Sequence, residues 1–437
     1  MVDLTYTEIE KYILGIPKFS SKNTPEDSSL FMKWLKYPGM GRKIIHVAGT
    51  NGKGSVCAYL RSILMEAGFR TGMFTSPHLV VMRERICLDK NMISEADFSR
   101  IFEKVQGKLQ EYQKTYPEKE SYHPSFFEFL FIMSMLYFEE KQVDYIILET
   151  GMGGRLDATN VVPCPKVCVI TDIGYDHMQY LGDTLQAIAG EKAGIIKSGV
   201  PVVYLDQKRE VGEVIRRQAL IKKSEQIPVK GTDIFYKNFT NKTIDFSFHS
   251  RYYDYISLTL STRAIYQMEN AMLAVHAIEA IQEKCILKEH IRRGLKNTFW
   301  PGRMEEIAPG VLLDGAHNED GIRVFLETAA QDQCSGKRLL LFGVVDDKRY
   351  DSMVSLLMES RLFNQVSVTT LRTARGVRLE ELKKLFSRYP GIPCTYEEDA
   401  AVALQHLKVQ KSEEDIIYIA GSLYLAGEIE AVGGSND

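Results

Sequence analysis

The segment Ala48-Gly-Thr-Asn-Gly-Lys-Gly-Ser55 sets three glycines around one lysine, directly after a short apolar run and before a stretch of helical periodicity. In such a turn, backbone N–H groups can point inward at phosphate oxygens, and the following helix N-terminus adds a favourable partial charge. Lys53 would then reach the β and γ phosphates of a nucleotide. Against the common G-x-x-x-x-G-K-[ST] pattern, Gly54 stands where a hydroxyl is usual and Ser55 comes one residue late. A metal ligand must therefore come from elsewhere.

Glu149 is a candidate, because it closes the apolar run Tyr145–Leu148 just before Gly151-Met-Gly-Gly154. A carboxylate at a strand end facing phosphates can hold Mg²⁺ directly or through water. Thr171-Asp-Ile-Gly-Tyr-Asp-His177 ends another apolar run and brings Asp176 and His177 to the same expected edge. Lys192, taken alone, reads as a solvated surface lysine, and Asp157 as a cap on the next turn. Glu128 interrupts the apolar run Phe126–Phe138, either as a substrate contact or, the favoured reading, as the exposed stripe of an amphipathic helix.

Positioning such groups takes a layered scaffold. Apolar runs at Lys43–Ala48, Val143–Leu148, Val167–Thr171 and Val200–Tyr204 alternate with helix-length segments, which predicts βαβ units and a largely parallel sheet whose carboxyl edge binds ligands. From Phe235 to Leu260, aromatic and polar residues alternate, as in a small antiparallel meander, and a helix follows over Tyr266–Glu283. Thr298-Phe-Trp-Pro-Gly-Arg303 breaks both periods and reads as a linker. Past it, Val311–Leu313, Arg338–Phe342, Gln365–Thr369 and Asp415–Ile419 predict a smaller doubly wound domain. The expected division is 1–297 and 298–437, ending in a Gly-Gly-Ser-Asn-Asp tail expected to fray.

Length and composition agree with this layout. At 437 residues the chain exceeds what one core usually organises. Its 54 basic and 57 acidic residues nearly balance, giving no support for a nucleic-acid partner. Seven scattered cysteines suggest reduced thiols; Cys164 and Cys168, the one close pair, read as strand-edge residues rather than a zinc knuckle. The first residues lack the apolar core of a leader, and Phe126–Phe138 is too short to cross a bilayer, so a cytoplasmic protein is expected.

Taken together, the motifs resemble a known family. Ile45–Ser55 and Ile146–Val162 resemble the two signature segments of the folylpolyglutamate synthase family, a branch of the Mur ligases. Thr75-Ser-Pro-His-Leu79 with Arg85, Asp176-His177 with Leu181-Gly182, Glu191–Lys197, Trp300-Pro-Gly-Arg303 and Asp314-Gly-Ala-His-Asn318 add matches in the family's order. The resemblance implies a P-loop Mur-ligase-type ATPase domain with a small meander, followed by a Rossmann-like α/β domain. It implies ATP-dependent joining of L-glutamate to folates through an acyl phosphate, with dihydrofolate synthase and folylpolyglutamate synthase activities together.

Residue by residue, it implies that Gly49, Thr50, Asn51, Gly52, Lys53, Gly54, Ser55, Asn270, Arg303 and Asp314 bind ATP. Ser76, Glu149 and His177 would hold Mg²⁺, and Lys192 would be carbamylated to help hold a second ion, reversing its surface reading. Lys53, Lys192 and His317 would be catalytic, while Ser76, Pro77, His78, Arg85, Gly153 and Asp157 would contact substrate. Dihydropteroate or a reduced folate and glutamate would be the small-molecule partners, on a monomer without nucleic acid or membrane. The sequence departs from the usual family pattern at Arg83, Tyr266 and Arg349. Alternatives are folylpolyglutamate synthesis alone, a Mur-type ligase with another acceptor, and a nucleotide switch without productive chemistry.

Overall fold

The computed structural model describes residues 4–18, 25–251 and 253–433, so the last residues of the tail expected to fray lie outside it. Its larger sheet has eight strands: β1 (Lys43–Ala48), β2 (Thr71–Phe74), β3 (Ile86–Leu88), β4 (Asn91–Met92), β5 (Tyr145–Glu149), β6 (Val167–Ile170), β7 (Val202–Leu205) and β8 (Gln226–Val229), in spatial order β4-β3-β2-β5-β1-β6-β7-β8. From β2 to β8 the pairing is parallel; β3 and β4 add an antiparallel edge. Parallel strands need covered faces, and β1, β2, β5, β6 and β7 are accordingly almost wholly buried.

One face of this sheet packs against helices Lys53–Glu66, Gln267–Ile281 and Lys288–Lys296. The other face carries Glu95–Thr115 and Phe126–Glu140 over one half, and Leu185–Ala193 and Arg209–Ile221 over the other. Gly294 lets two helices touch: a Cβ there would stand 2.6 Å from Ile63 Cα. The meander is present as β9 (Ile234–Phe239), β10 (Ile244–His249) and β11 (Asp254–Leu260), paired antiparallel and packed into the same core as Gln267–Ile281.

The smaller sheet holds six strands rather than the four expected: β12 (Glu305–Ala308), β13 (Val311–Leu313), β14 (Arg338–Phe342), β15 (Gln365–Thr369), β16 (Cys394–Glu397) and β17 (Ile416–Ala420), ordered β12-β13-β17-β14-β15-β16. The two extra strands, β12 and β16, are the edges. Half-exposed edges read as mixed polar segments, which is why periodicity passes over them.

Two readings of individual residues are corrected here. Glu128 is neither substrate contact nor exposed stripe. The Phe126–Glu140 helix is buried nearly all round, and Glu128 closes a capping box with Ser125 while accepting the Tyr122 hydroxyl at 2.9 Å. Cys168 lies inside β6, between β1 and β7, rather than at a sheet edge, and Cys164 is exposed in the preceding loop.

Candidate active site

Four adjacent strands, β2, β5, β1 and β6, end side by side, and the residues beyond their carboxyl ends build one wall of a cleft of about 340 Å³. The register sets Val47 of β1 beside Glu149 of β5, so the glycine-rich turn and the carboxylate emerge together. The opposite wall comes from the second domain, through Asp314–His317 and the helix Glu319–Gln331.

The turn is held from below. Thr50 N and Asn51 N donate to the Asp172 carbonyl at 2.7 and 3.3 Å, and Thr171 Oγ1 donates to the Asn51 carbonyl at 2.6 Å. Gly52 caps the helix Lys53–Glu66 in the left-handed region at φ 87°, and Gly54 lies so close to the linker's Trp300 that a Cβ would meet its ring at 2.6 Å. Ser55 is buried and accepts from Gln267 Nε2 at 3.1 Å, so its hydroxyl faces the Gln267–Ile281 helix. The metal-ligand role that the turn lacks at Gly54 is not taken over by its neighbour.

Glu149 is buried, with Lys53 Nζ at 3.8 Å and the Ser76 amide donating to it at 3.1 Å. Burial raises its carboxyl pKa despite Lys53 and the Ser76 amide, which mark a carboxylate short of positive charge. Lys192, in the last turn of Leu185–Ala193, is only 4% exposed and donates to the Gly49 carbonyl at 2.7 Å. Burial, with Lys53 nearby, lowers its pKa to about 7. The surface reading of this lysine is overturned.

His177 follows Asp176 with a left-handed backbone, φ 50°, and burial lowers its ring to about 4, so it is neutral at pH 7. Asp176 accepts from Lys348 Nζ at 2.5 Å and faces His317 Nε2 at 3.7 Å; burial opposes its ionisation, but the His317 contact and the Lys348 ammonium outweigh it and hold the carboxyl far below its usual range. His317 Nδ1 lies 2.8 Å from the Gly315 carbonyl, which can only accept, so Nδ1 carries the proton. Asp314 accepts from Tyr266 Oη at 2.5 Å and from the amides of Met304 and Ala316, which fixes it over the linker.

The cleft brings together Gly49–Ser55, Ser76, Pro77, Glu149, Gly153, His177, Lys192, Asn270, Arg303, Asp314 and His317. Three expected substrate contacts lie outside it. Arg85 is buried, donates from Nε to His78 Nδ1 at 2.8 Å, and stacks over Phe126. Asp157 does not reach the cleft either: its carboxylate accepts Gly151 N, Met152 N, Thr159 N and Thr159 Oγ1, which shapes the Gly-rich loop from behind. Arg83 turns away to the Ile93 carbonyl and Glu95, and Arg349 pairs with Glu319 at 3.1 Å.

Sequence reasoning missed the polar seam between the domains. Asn51 and Asn318 exchange side-chain amide hydrogen bonds at 2.9 and 3.3 Å. Lys208 joins Asp172 at 3.2 Å to Asp320 at 2.9 Å, and Lys348 reaches Asp176. Asn51 and Asn318 lay in motifs already singled out; Lys208 sits in a polar loop with no local signal.

Comparison with known proteins gives consistent results. The model of the Mur ligase middle domain matches residues 47–278, and that of the Mur ligase glutamate ligase domain matches residues 302–423. The chain is 33% identical over 435 residues to the dihydrofolate synthase/folylpolyglutamate synthase of Bacillus subtilis (strain 168), covering 97% of this chain and 98% of that one. It is similar to the folylpolyglutamate synthase of Lacticaseibacillus casei, 29% identical with 98% of each covered. Among solved structures, it superposes on Mycobacterium tuberculosis folylpolyglutamate synthase complexed with ADP and AMPPCP at a TM-score of 0.88, 28% identical with 98% of both chains covered. It also superposes on E. coli FolC in complex with DHPP and ADP at a TM-score of 0.87, 25% identical, covering 99% of this chain and 98% of that one.

Proposed function

The chain belongs to the folylpolyglutamate synthase family of Mur ligases, and on that footing we propose that it joins L-glutamate to folate carboxylates at the expense of ATP. The observation that carries this reading is the shared cleft: the glycine turn with Lys53, the buried Glu149 and the near-neutral Lys192 face Asp314 and His317 of the other domain. A nucleotide switch has no need of that second wall.

An unactivated carboxylate does not accept an amine, so the acyl group is first phosphorylated by ATP and then attacked by the amine of glutamate. Lys53 and the turn's N–H groups hold the phosphates in line and offset charge on the transferring phosphoryl group. Asn270, Arg303 and Asp314 line the same cleft and are our assignment for the nucleotide's other contacts. With Nδ1 already protonated, His317 offers Nε2 as its basic nitrogen, and we assign it to take the proton that the incoming ammonium group must lose. Closure of the two walls excludes water that would hydrolyse the acyl phosphate.

Ser76, Glu149 and His177 fit a divalent cation: one hydroxyl, one carboxylate short of positive charge and one neutral imidazole, with phosphate oxygens and water to complete the shell. Among the described residues no three His, Cys, Asp or Glu side chains group as a metal cage, so in this reading the nucleotide's phosphates would supply part of the cation's shell. When bound, Mg²⁺ supplies charge neutralisation for the phosphates. Lys192 fits carbamylation, since only an unprotonated amine adds carbon dioxide and burial keeps a share of it unprotonated near pH 7. A carbamate nitrogen retains one hydrogen for the Gly49 carbonyl.

Ser76, Pro77 and Gly153 line the cleft next to Glu149 and are our assignment for the folate carboxylate end. We infer both activities, on dihydropteroate and on reduced folates, from the likeness to the B. subtilis enzyme. No helix among the described residues is long and apolar enough to cross a membrane; that the enzyme is a cytoplasmic monomer is a separate proposal, for size-exclusion chromatography and cell fractionation to test. Purified protein assayed with ATP and glutamate, with dihydropteroate and tetrahydrofolate side by side, tests the proposal. ADP release independent of folate and glutamate would refute it.

A further inference from the structure

The cleft continues past the phosphate turn to a carboxylate that the chemistry above does not use. At Gly52 an added Cβ would stand 2.3 Å from Asn270 Oδ1, so Asn270 abuts the turn. Gln207, Lys208 and Glu269 line the cleft together with Asp320, Val324 and Glu327 of the other domain, and Lys208 Nζ reaches Asp320 at 2.9 Å. A triphosphate laid over the turn with its γ end toward Lys53 and Glu149 sends its nucleoside into this region. Glu269 lies in the first turn of Gln267–Ile281, and that turn is tied to the phosphate loop through Gln267 and Ser55, with Asn270 donating to Gln267 at 2.9 Å.

Glu269 is a partly built recognition group. Gln207 Nε2 donates to its Oε1, which fixes the plane of the carboxylate. No cation pairs with it among the described residues. The neighbouring Lys208 directs its Nζ to Asp172 Oδ1 at 3.2 Å, the Ile173 carbonyl at 2.7 Å and Asp320 Oδ2 at 2.9 Å. Burial, with Asp172 as a like-charged neighbour, raises the Glu269 carboxyl to about 7. A half-buried acceptor whose second oxygen has no hydrogen-bond partner among the described residues gains from a ligand N–H, and is badly placed against a second acceptor.

We propose that Glu269, oriented by Gln207, selects the nucleotide base, accepting an N–H from a purine's exocyclic amine and rejecting a purine with an oxo group at that position. The inference rests on the ligase reading for its turnover assay, but its geometry depends only on where the nucleotide lies. Sites built to pair with a hydrogen-bonding group discriminate strongly against analogues that leave it unpaired. An oxo group facing the ionised carboxylate sets two acceptors against each other, so the comparison is made at pH 8 to 8.5, above the Glu269 value of about 7, whereas a glutamine amide can turn its NH₂ toward the oxo group.

The test compares kcat/KM for ATP, ITP and 2′-deoxyATP in the wild type and in Glu269→Gln, each with folate and glutamate. The expected result is a fall of about tenfold or more in the preference for ATP over ITP, with the ATP to 2′-deoxyATP ratio unchanged. An ATP to ITP ratio that stays at its wild-type value overturns the proposal, and so does a change confined to 2′-deoxyATP, which would place the ribose at Glu269. Should Glu269→Gln fail to fold, Glu269→Ala reads the same ratio. Competition of ADP and IDP for the protein without folate or glutamate repeats the comparison as binding. Base-selective binding by a protein that makes no folate-dependent phosphate would sink the ligase reading and leave this one standing.

Discussion

Lys192 Nζ donates a 2.7 Å hydrogen bond to the carbonyl oxygen of Gly49, so a buried amine is fastened to the first glycine of the phosphate turn. Its pKa, lowered by burial to about 7 against about 10.4 in the unfolded chain, sets two consequences. The unfolded chain binds the extra proton between these values, so this group makes stability rise with pH across that window and exacts its full cost below it. Lys192→Met is therefore expected to melt higher than the wild type at pH 6, with the gap closing toward pH 10, while losing ligation. Differential scanning fluorimetry across pH checks the first outcome. Removal of carbon dioxide should slow turnover and bicarbonate restore it, with a carbamate signal in carbon-13 NMR; unchanged turnover in stripped buffer excludes the modification.

Lys53, 3.8 Å from Glu149, is the one lysine of the glycine turn. Lys53→Ala is expected to lower folate- and glutamate-dependent ADP release by about 10³-fold or more, the scale of losing a charge aimed at a transferring phosphoryl group. Normal turnover in that variant would remove the phosphate-loop assignment.

Chelation of divalent cations should stop turnover, and added Mg²⁺ should restore it. Glu149→Gln keeps the size of the side chain and the Ser76 amide contact but removes the charge, so it should raise the Mg²⁺ concentration needed for half-maximal rate. A variant with wild-type Mg²⁺ dependence would show that Glu149 serves the fold alone.

Glu128 offers the contrasting case of a buried carboxylate with structural work only. Glu128→Ala leaves Tyr122 Oη and the Ser125 amide without their acceptor, a loss of about 1–3 kcal/mol. Denaturant unfolding should show this destabilisation, with kcat/KM per folded molecule unchanged. A specific loss of kcat would return Glu128 to the list of substrate contacts.

Lys208 and Asp320 meet across the domain seam at 2.9 Å. A double-mutant cycle with Lys208→Ala and Asp320→Ala, read in kcat/KM, should give a coupling of about 0.5–3 kcal/mol. Simple additivity would mean that the seam is incidental to turnover.

What could be read from the sequence followed from locality. The phosphate turn, Glu149 and Asp176-His177 all stand at the ends of buried parallel strands, where apolar runs end abruptly and chemistry begins. Edge strands β12 and β16 carried no such contrast, and Glu128 misled because a helix buried on every side has no exposed stripe to reveal which of its polar residues is a cap. Lys192 needed tertiary knowledge: only the approach of Gly49 from β1 turns an ordinary helical lysine into a buried one. Arg85 and Asp157 sat in the right motifs, yet their side chains hold other residues rather than the cleft. The seam of Lys208, Asp320 and Lys348 joins positions far apart in the chain, which periodicity and spacing do not register.

Trp300 rests against Gly54, so the hinge between the domains bears on the first turn of the phosphate-binding helix. Were the far domain to swing about this linker, the displacement would reach Gly54 and the phosphate turn with it. An alteration of the hinge meant only to speed product escape would be felt as a change in nucleotide grip, and the two properties could not be tuned separately.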